Sequence, residues 1–445
     1  EVRAIASGAL ATGDTVVVNA DGTVSVVAGS NSSSGSPVVF NSATTTMQPS
    51  SSVYDSSNNK IVIAYKDYGN SQYGAAIVGT ISGSTITFGS STVFESASIE
   101  HQTITFDDNS NKVVIAYRDG GAGKAIVGTV SGTSISFGSS TTFESSGIEG
   151  VGITFDTTNN KVVISYADLT SSSNGTAVVG TVSGTSISFG TPAVFEGGRT
   201  DYTSAAFDSS NNKVVISYSD KDNSNYGTAV VATVSGTSIS FGSVAVYTSE
   251  YAIYNAIVFD SSVNKVVISY RAATDGDKGK SVVGTVSGTS ISFGSAVTFA
   301  SGGAGIVSAT YDTSLNKVLV AYSDKGNSNY GTIALGSVSG TSISFASGGV
   351  FESAAADDIN ITYDANANKS AVFYYDEGNS FYGTASVFTA GSTNLTSENF
   401  VGFANSGYAD GQSAAINSTC MVDSNQTSLT AGQTYYVQTS GALGT

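Results

Sequence analysis

The chain has 445 residues, 40% of them hydrophobic and 11% charged, with 51 Gly, 3 Pro and no Trp. That supplies a large apolar core and excludes a disordered chain. A formal net charge of −17 disfavours nucleic acid and anionic membrane surfaces as partners, and no apolar run reaches the ~18 residues of a spanning helix, so membrane insertion is not expected.

The chain begins Glu1-Val2-Arg3, without an initiator Met or a signal-peptide pattern, as expected of a processed protein or of a piece of a longer one. Residues 1–36 contain the β-branched run Thr15–Val18, an Ala-Asp-Gly turn and a second run, Thr23–Val27. They read as one β segment of an accessory module. Pro37-Val38-Val39-Phe40 carries another pattern, found again at Val194-Phe195 and Val350-Phe351.

An aromatic-Asp marker, followed by a polar turn and Lys, then recurs. It stands at Tyr54-Asp55, Phe106-Asp107, Phe155-Asp156, Phe207-Asp208, Phe259-Asp260, Tyr311-Asp312 and Tyr363-Asp364. Successive Asp positions differ by 52, 49, 52, 52, 52 and 52 residues. Each copy reads as four strands. In the fourth, the strand ending at Phe207 turns through Asp208–Lys213 into Val214–Tyr218. The loop Asp220–Gly227, the strand Thr228–Val234, the Ser235-Gly236-Thr237 turn and Ser238–Phe241 complete the unit. No segment has helical periodicity.

Seven such units predict an all-β fold, a seven-bladed β-propeller of four-stranded blades over residues 37–393. A linear β-solenoid is the competing repeat architecture, but it has shorter coils and needs terminal caps. The seventh copy leaves the pattern near Ala390. The strand at 37–42 is therefore expected to supply its missing outer strand and close the ring, removing open edges. Residues 394–445, with Phe400–Phe403 and Gln433–Val437, read as a second β segment. The two termini together predict one small accessory β module.

The seven copies agree at the Asp-x4-Lys turn, from Asp55/Lys60 to Asp364/Lys369, and at the Ser-Gly-Thr turn. The first reads as a turn ion pair with Asn residues in left-handed backbone, not as a ligand rosette. These constant turns fall at one end of each unit. The crossings between units and the second-to-third-strand loops fall at the other, and there the copies diverge. Function concentrates on variable loops of a rigid scaffold. The candidate ligand-binding residues are thus His101, Arg199, Asp201, Tyr202, Tyr251, Tyr254 and Asp357 on the crossings, with Arg271 and Asp376 on the loops. Tyr with Asn, Asp and Arg on a polar face suits glycan or protein recognition, since rings stack on sugars and amides read hydroxyls.

Catalytic chemistry finds little to stand on. Cys420 and His101 are the chain's one Cys and one His, so Cys420 reads as an inert thiol and a His/Cys metal site is excluded by count. The Asn-rich loops at Asp67, Asp220, Asp324 and Asp376 offer oxygen ligands of the kind calcium takes. None has the twelve-residue calcium-loop spacing, and no cofactor is expected. Gly120–Lys124 lacks the spacing and the following Ser or Thr of a phosphate loop. Glu100, Glu149, Asp201, Glu250 and Asp357 or Asp358 are the carboxylates that a glycan-cleaving pair would draw on. Tyr322–Gly326 partly resembles the Asp-box of sialidase propellers, but lacks its Ser and its following aromatic residue. The protein is expected not to be an enzyme.

The repeat, from Asp-Ser-Ser-Asn-Asn-Lys-Val-Val-Ile-Ser-Tyr to Gly-Thr-Val-Ser-Gly-Thr-Ser-Ile-Ser-Phe-Gly, resembles repeats of tail-fibre-like virion proteins of marine bacteriophages. Residues 7–27 and 429–444 resemble the entry and exit segments of the same group, so the resemblance spans most of the chain. It implies an exposed, extracellular virion element, a tail fibre or decoration protein. Its implied partners are host-surface glycan or protein and other virion subunits, in a homo-oligomer. It carries over no catalytic residue. A structural subunit of an extracellular filament or a bacterial surface adhesin is the alternative, and a glycan-cleaving propeller is a third reading.

Overall fold

The computed structural model describes residues 2–48, 51–391, 395, 399–418, 436–437 and 443–444. Cys420 and the run Gln433–Tyr435 lie outside the described residues. The chain divides into two compact bodies, one of residues 1–32 with 390–445 and one of residues 33–389.

In the larger body each repeat is an antiparallel four-stranded sheet, and the fourth repeat shows the construction. Its first strand, Thr200–Asp208, pairs with Lys213–Asp220, and that strand pairs with Tyr226–Ser235. The fourth position is split in two. Ser238–Phe241 pairs with Ala232–Ser235, and Ala245–Thr248 pairs with Gly227–Ala229. The strand that begins at Ala245 runs sixteen residues to Asp260 and becomes the first strand of the fifth repeat. Such shared strands link the repeats into extended sheets of 17 and 13 strands. In the seventh repeat the third strand, Tyr382–Thr389, pairs with Ser33–Ser34 and with Val38–Thr46. The N-terminal side thus fills the fourth position of the last copy.

Why these residues take these places follows from packing. The second and third strands are near-continuous apolar runs; in Val214-Val215-Ile216, Val214 and Ile216 pack on the third repeat and Val215 on the fifth, so both faces of this sheet are covered. One apolar cluster joins Val62 and Val78 of the first repeat to Ile115 and Tyr117 of the second. Another joins Ile61, Ile63 and Tyr65 of the first repeat to Ala371, Phe373 and Val387 of the seventh. Burying one such side chain is worth about 1.5–3 kcal/mol.

A glycine after the last aromatic residue of the fourth strand locks neighbouring copies together. A Cβ on Gly89, Gly138, Gly190, Gly242 or Gly294 would run into the carbonyl of Thr133, Thr185, Thr237, Thr289 or Thr341, each in the Ser-Gly-Thr turn of the next repeat. Gly35 stands in the same relation to Ser84 of the first repeat.

The Asp-x4-Lys turn is held differently from the ion pair read in the sequence. The Asp208 carboxylate folds over its own turn, accepting from the backbone N–H of Ser210 and Asn211 at 2.9 and 3.1 Å and from Asn211 Nδ2 at 2.9 Å. Asn212 then takes left-handed backbone, φ 52°. The lysines reach the other way, Lys265 and Lys369 donating to Thr285 and Thr389 on the third strand, both at 2.9 Å. Among the described residues no salt bridge joins the Asp and Lys of such a turn. The Asp is buried against N–H donors that it satisfies locally, so it has no need of the cation.

The smaller body interleaves the two termini in a five-stranded sheet. Val2–Ile5 pairs with Ser413–Asn417, which pairs with Phe400–Ala404, then Thr15–Val18, then Val24–Val26. Leu10, Val16, Val24, Ala414 and Ile416 form its core.

Candidate functional site

The variable end of the larger body is built around a recurring irregularity. Where each crossing enters the first strand, the register slips between Glu100 and Thr103, Glu149 and Gly152, Asp201 and Ser204, Ile253 and Ala256, and Asp357 and Asn360. The residue six before the Asp marker sits in this bulge. His101, Gly150, Tyr202, Tyr254 and Asp358 all have left-handed backbone there, with φ of 53°, 55°, 50°, 53° and 48°. For bulky side chains this conformation is costly, and bulges of this kind re-aim side chains beside sites. The sixth copy keeps the register slip, between Ala304 and Val307, but its Ile306 is not left-handed, and the first has Pro49, outside the described residues.

Four of these residues meet in one hollow. His101, Gly150, Asp201, Tyr202, Tyr254 and Asn255 line it. The rings of Tyr202 and Tyr254 stand edge to face, 5.3 Å apart at 66°. Gly150 lies close against the Asp201–Thr203 segment, where a Cβ would come within 3.0 Å of the Tyr202 backbone nitrogen. Asn255 donates from Nδ2 to the Tyr202 carbonyl at 3.3 Å. Its Oδ1 and the Oγ1 of Thr103, another lining residue, are buried without a hydrogen-bond partner among the described residues, which is rare for buried polar atoms.

Charge around the hollow is balanced in pairs. Asp201 is bound by Lys221 at 2.9 Å and Glu100 by Arg118 at 3.1 Å. His101 is half-buried, and desolvation holds its imidazole below its ordinary value. Burial pushes the hydroxyls of Tyr202 and Tyr254 up, so both are hydrogen-bond donors at any physiological pH.

A second hollow shares Tyr254 and adds Arg271, Ile306, Lys325, Asp357 and Glu377. Arg271 lies 6.0 Å from the centre of the Tyr254 ring. Its Nε donates to Asp277 at 2.7 Å, and Lys325 donates to the other oxygen of Asp277 at 2.8 Å.

Of the nine residues read from the sequence, His101, Asp201, Tyr202 and Tyr254 come together in the first hollow, and Arg271 and Asp357 join Tyr254 in the second. The other three line neither. Arg199 is exposed and paired with Asp222 at 2.9 Å. Tyr251 is half-buried, its N–H donating to Thr274. Asp376 is buried and its carboxylate accepts the Asn379 N–H, so it holds its own loop. Gly150, Asn255 and Lys221 were not among the nine. Reading down the copies at the position six before the marker would have found Gly150 and Asp358.

No family model matches the chain, and no curated protein sequence matches it. Solved structures do. AofleA from Arthrobotrys oligospora, as a mutant with three arginines replaced by alanine, superposes with a TM-score of 0.43 at 7% identity, over 74% of this chain and 92% of its own. The BP39L lectin from Burkholderia pseudomallei superposes with a TM-score of 0.57 at 11% identity, over 80% of this chain and 100% of its own, so the two share an all-β fold.

Proposed function

We propose that the seven sheets close into a seven-bladed β-propeller, and that the protein is a non-enzymatic carbohydrate-binding protein whose first hollow takes a sugar. Support for closure comes from contacts between the last copy and the first. The Ser52 hydroxyl meets the side chains of Asn360 and Thr362, Gly35 packs on Ser84, and Phe40 packs between Tyr65 and Phe373. The likeness to the BP39L lectin supports both the fold and the class of ligand.

The observation that carries the reading is the pairing of two tyrosine rings with the orphaned Asn255 Oδ1 in one hollow. A sugar presents an apolar ring face to an aromatic side chain and hydroxyls to such an acceptor. Of the carboxylates that a cleavage reaction would draw on, Glu100, Asp201 and Glu250 are engaged by cations. The resemblance of the repeats and flanks to marine phage fibre proteins extends the proposal to display on a virion, in several copies, against a host-surface glycan.

The test is a glycan array with intact host cells beside it. Wild type should bind a subset of glycans and release no reducing sugar. Tyr202→Asn and Tyr254→Asn, which suit left-handed backbone, should each weaken that binding about tenfold, the effect of losing ~1.4 kcal/mol of ring contact. Binding unchanged in both variants, or turnover of any bound oligosaccharide, would overturn the reading.

A further inference from the structure

Four of the second-to-third-strand loops have the same length and nearly the same sequence. They run Asp67-Tyr-Gly-Asn-Ser-Gln-Tyr73, Asp220-Lys-Asp-Asn-Ser-Asn-Tyr226, Asp324-Lys-Gly-Asn-Ser-Asn-Tyr330 and Asp376-Glu-Gly-Asn-Ser-Phe-Tyr382. The residue before the final Tyr is left-handed in all four: Gln72 at φ 64°, Asn225 and Asn329 at 60°, and Phe381 at 62°. The hydrogen-bond pattern requires this whatever the side chain. The N–H of Phe381 donates to the Asp376 carbonyl at 2.8 Å, as that of Asn329 does to the Asp324 carbonyl at 2.8 Å.

Asn tolerates the conformation, but Phe does not share its local hydrogen bonding and is a genuine outlier there. Phe381 also leaves 44% of its surface exposed. The seventh repeat therefore carries an aromatic ring at a position that costs it both backbone strain and contact with water, where two of its sister loops carry Asn. Strain of this kind concentrates at binding sites.

The ring is not isolated. Phe381 stacks on Tyr375, centroids 5.1 Å apart and planes 29° apart. Asp357 stands opposite Tyr375 in the strand pairing, and Glu377 follows Tyr375 two residues on. Glu377 and Asp357 line the second hollow, so the aromatic pair stands at its border.

We propose that Phe381 and Tyr375 form a second sugar-binding platform, distinct from the first hollow. It takes the apolar face of an uncharged pyranose while Glu377 and Asp357 accept from its hydroxyls. A flat pair of rings rimmed by acceptors matches a polyol that has one apolar face, and the carboxylates repel an acidic partner. The inference rests on the carbohydrate reading and adds a site to it, so the protein would hold one long glycan or two short ones.

Phe381→Asn installs the residue of two sister loops, so the variant should fold with an unchanged or raised melting temperature. On the same array of neutral and acidic glycans, wild type should bind a neutral subset that the Tyr202→Asn/Tyr254→Asn double variant still retains. Adding Phe381→Asn should weaken that residual binding at least tenfold. If Phe381→Asn binds every glycan as wild type does, the platform is overturned and the first hollow stands. If it loses attachment to host cells while its array profile is unchanged, the platform meets a protein and the sugar assignment fails. Wild type binding nothing on the array would overturn both sites.

Discussion

Asp358 is the most perturbed acid of the variable end: burial first, then the charge of Asp357, raises its carboxyl from 3.8 to about 7. The backbone N–H of Met47 donates to it at 3.3 Å, too little to offset desolvation. Its proton is held more tightly folded than unfolded, so below pH 4 the group costs nothing. As pH rises from about 4 through about 7 the folded state must ionise it, and stability falls. A rise of this size is worth about 4 kcal/mol for a wholly enclosed group. Water reaches Asp358 on one side, so about 1–2 kcal/mol is expected. Asp358→Asn should therefore raise the melting temperature at pH 8 and change it little at pH 3. His101 has the opposite slope, since its lowered value favours the folded state above pH 6.5 and costs stability as pH falls. Comparing variant with wild type at each pH cancels His101 and isolates Asp358. An equal gain at both pH values would show that relief of the left-handed backbone, not ionisation, is responsible. The acidic pair Asp357-Asp358 is visible in the sequence, but the bulge that turns Asp358 inward is not. Register slips depend on pairing with a distant strand, and no local residue type announces them.

Phe-Gly at the end of the fourth strand shows at the scale of one element how a repeat signal and its cause come apart. The glycine recurs plainly after Phe88, Phe137, Phe189, Phe241 and Phe293, and the sixth copy has Phe345-Ala346 instead. The fold gives it its role, close approach to the carbonyl of the next repeat's turn, and none of these five has positive φ. Gly190→Ala should therefore cost about 1–3 kcal/mol, the range for overpacking against a backbone that cannot give. Ala346→Gly should cost at most about 1 kcal/mol, the entropic penalty alone. Chemical denaturation with unchanged m-values would measure both, and equal effects would exclude the clash. The same limit applied to the Asp-x4-Lys turn. The spacing was legible, as were the four strands of each unit, because strand and turn chemistry is local. The partner of the lysine was not, because Thr285 and Thr389 lie twenty residues away on another strand.

Two bodies share one chain, and the larger is completed by a segment that belongs to its beginning. Pro37–Phe40 carries the fourth-strand pattern of the other copies, and Val38 and Val39 pair with Ala385 and Thr384 at the far end of the body. Without this segment Tyr382–Thr389 would have an unpaired edge, and exposed edges template association. Its packing is also substantial. Phe40 meets Tyr65 at 5.4 Å, Phe88 at 5.7 Å and Phe373 at 6.3 Å, joining the first repeat to the seventh. Burial of one such ring gives about 1.5–3 kcal/mol, with about 0.5–1.5 more for each well-placed ring pair. Residues 1–32 and 390–445 have a core of their own, so a fragment of residues 33–389 should fold as one cooperative, monodisperse unit. A fragment of residues 47–389 lacks both Ser33–Ser34 and the strand from Val38 to Thr46, and should aggregate or unfold well below it. Because the missing strand binds through main-chain ladders and alternate side-chain pockets, a peptide of residues 33–46 added in trans should restore solubility at a one-to-one ratio. Size-exclusion chromatography and thermal unfolding read all three samples. If the 47–389 fragment is as soluble and as stable as the 33–389 fragment, the first and seventh repeats do not depend on this strand, and the closed propeller proposed for the body must be abandoned.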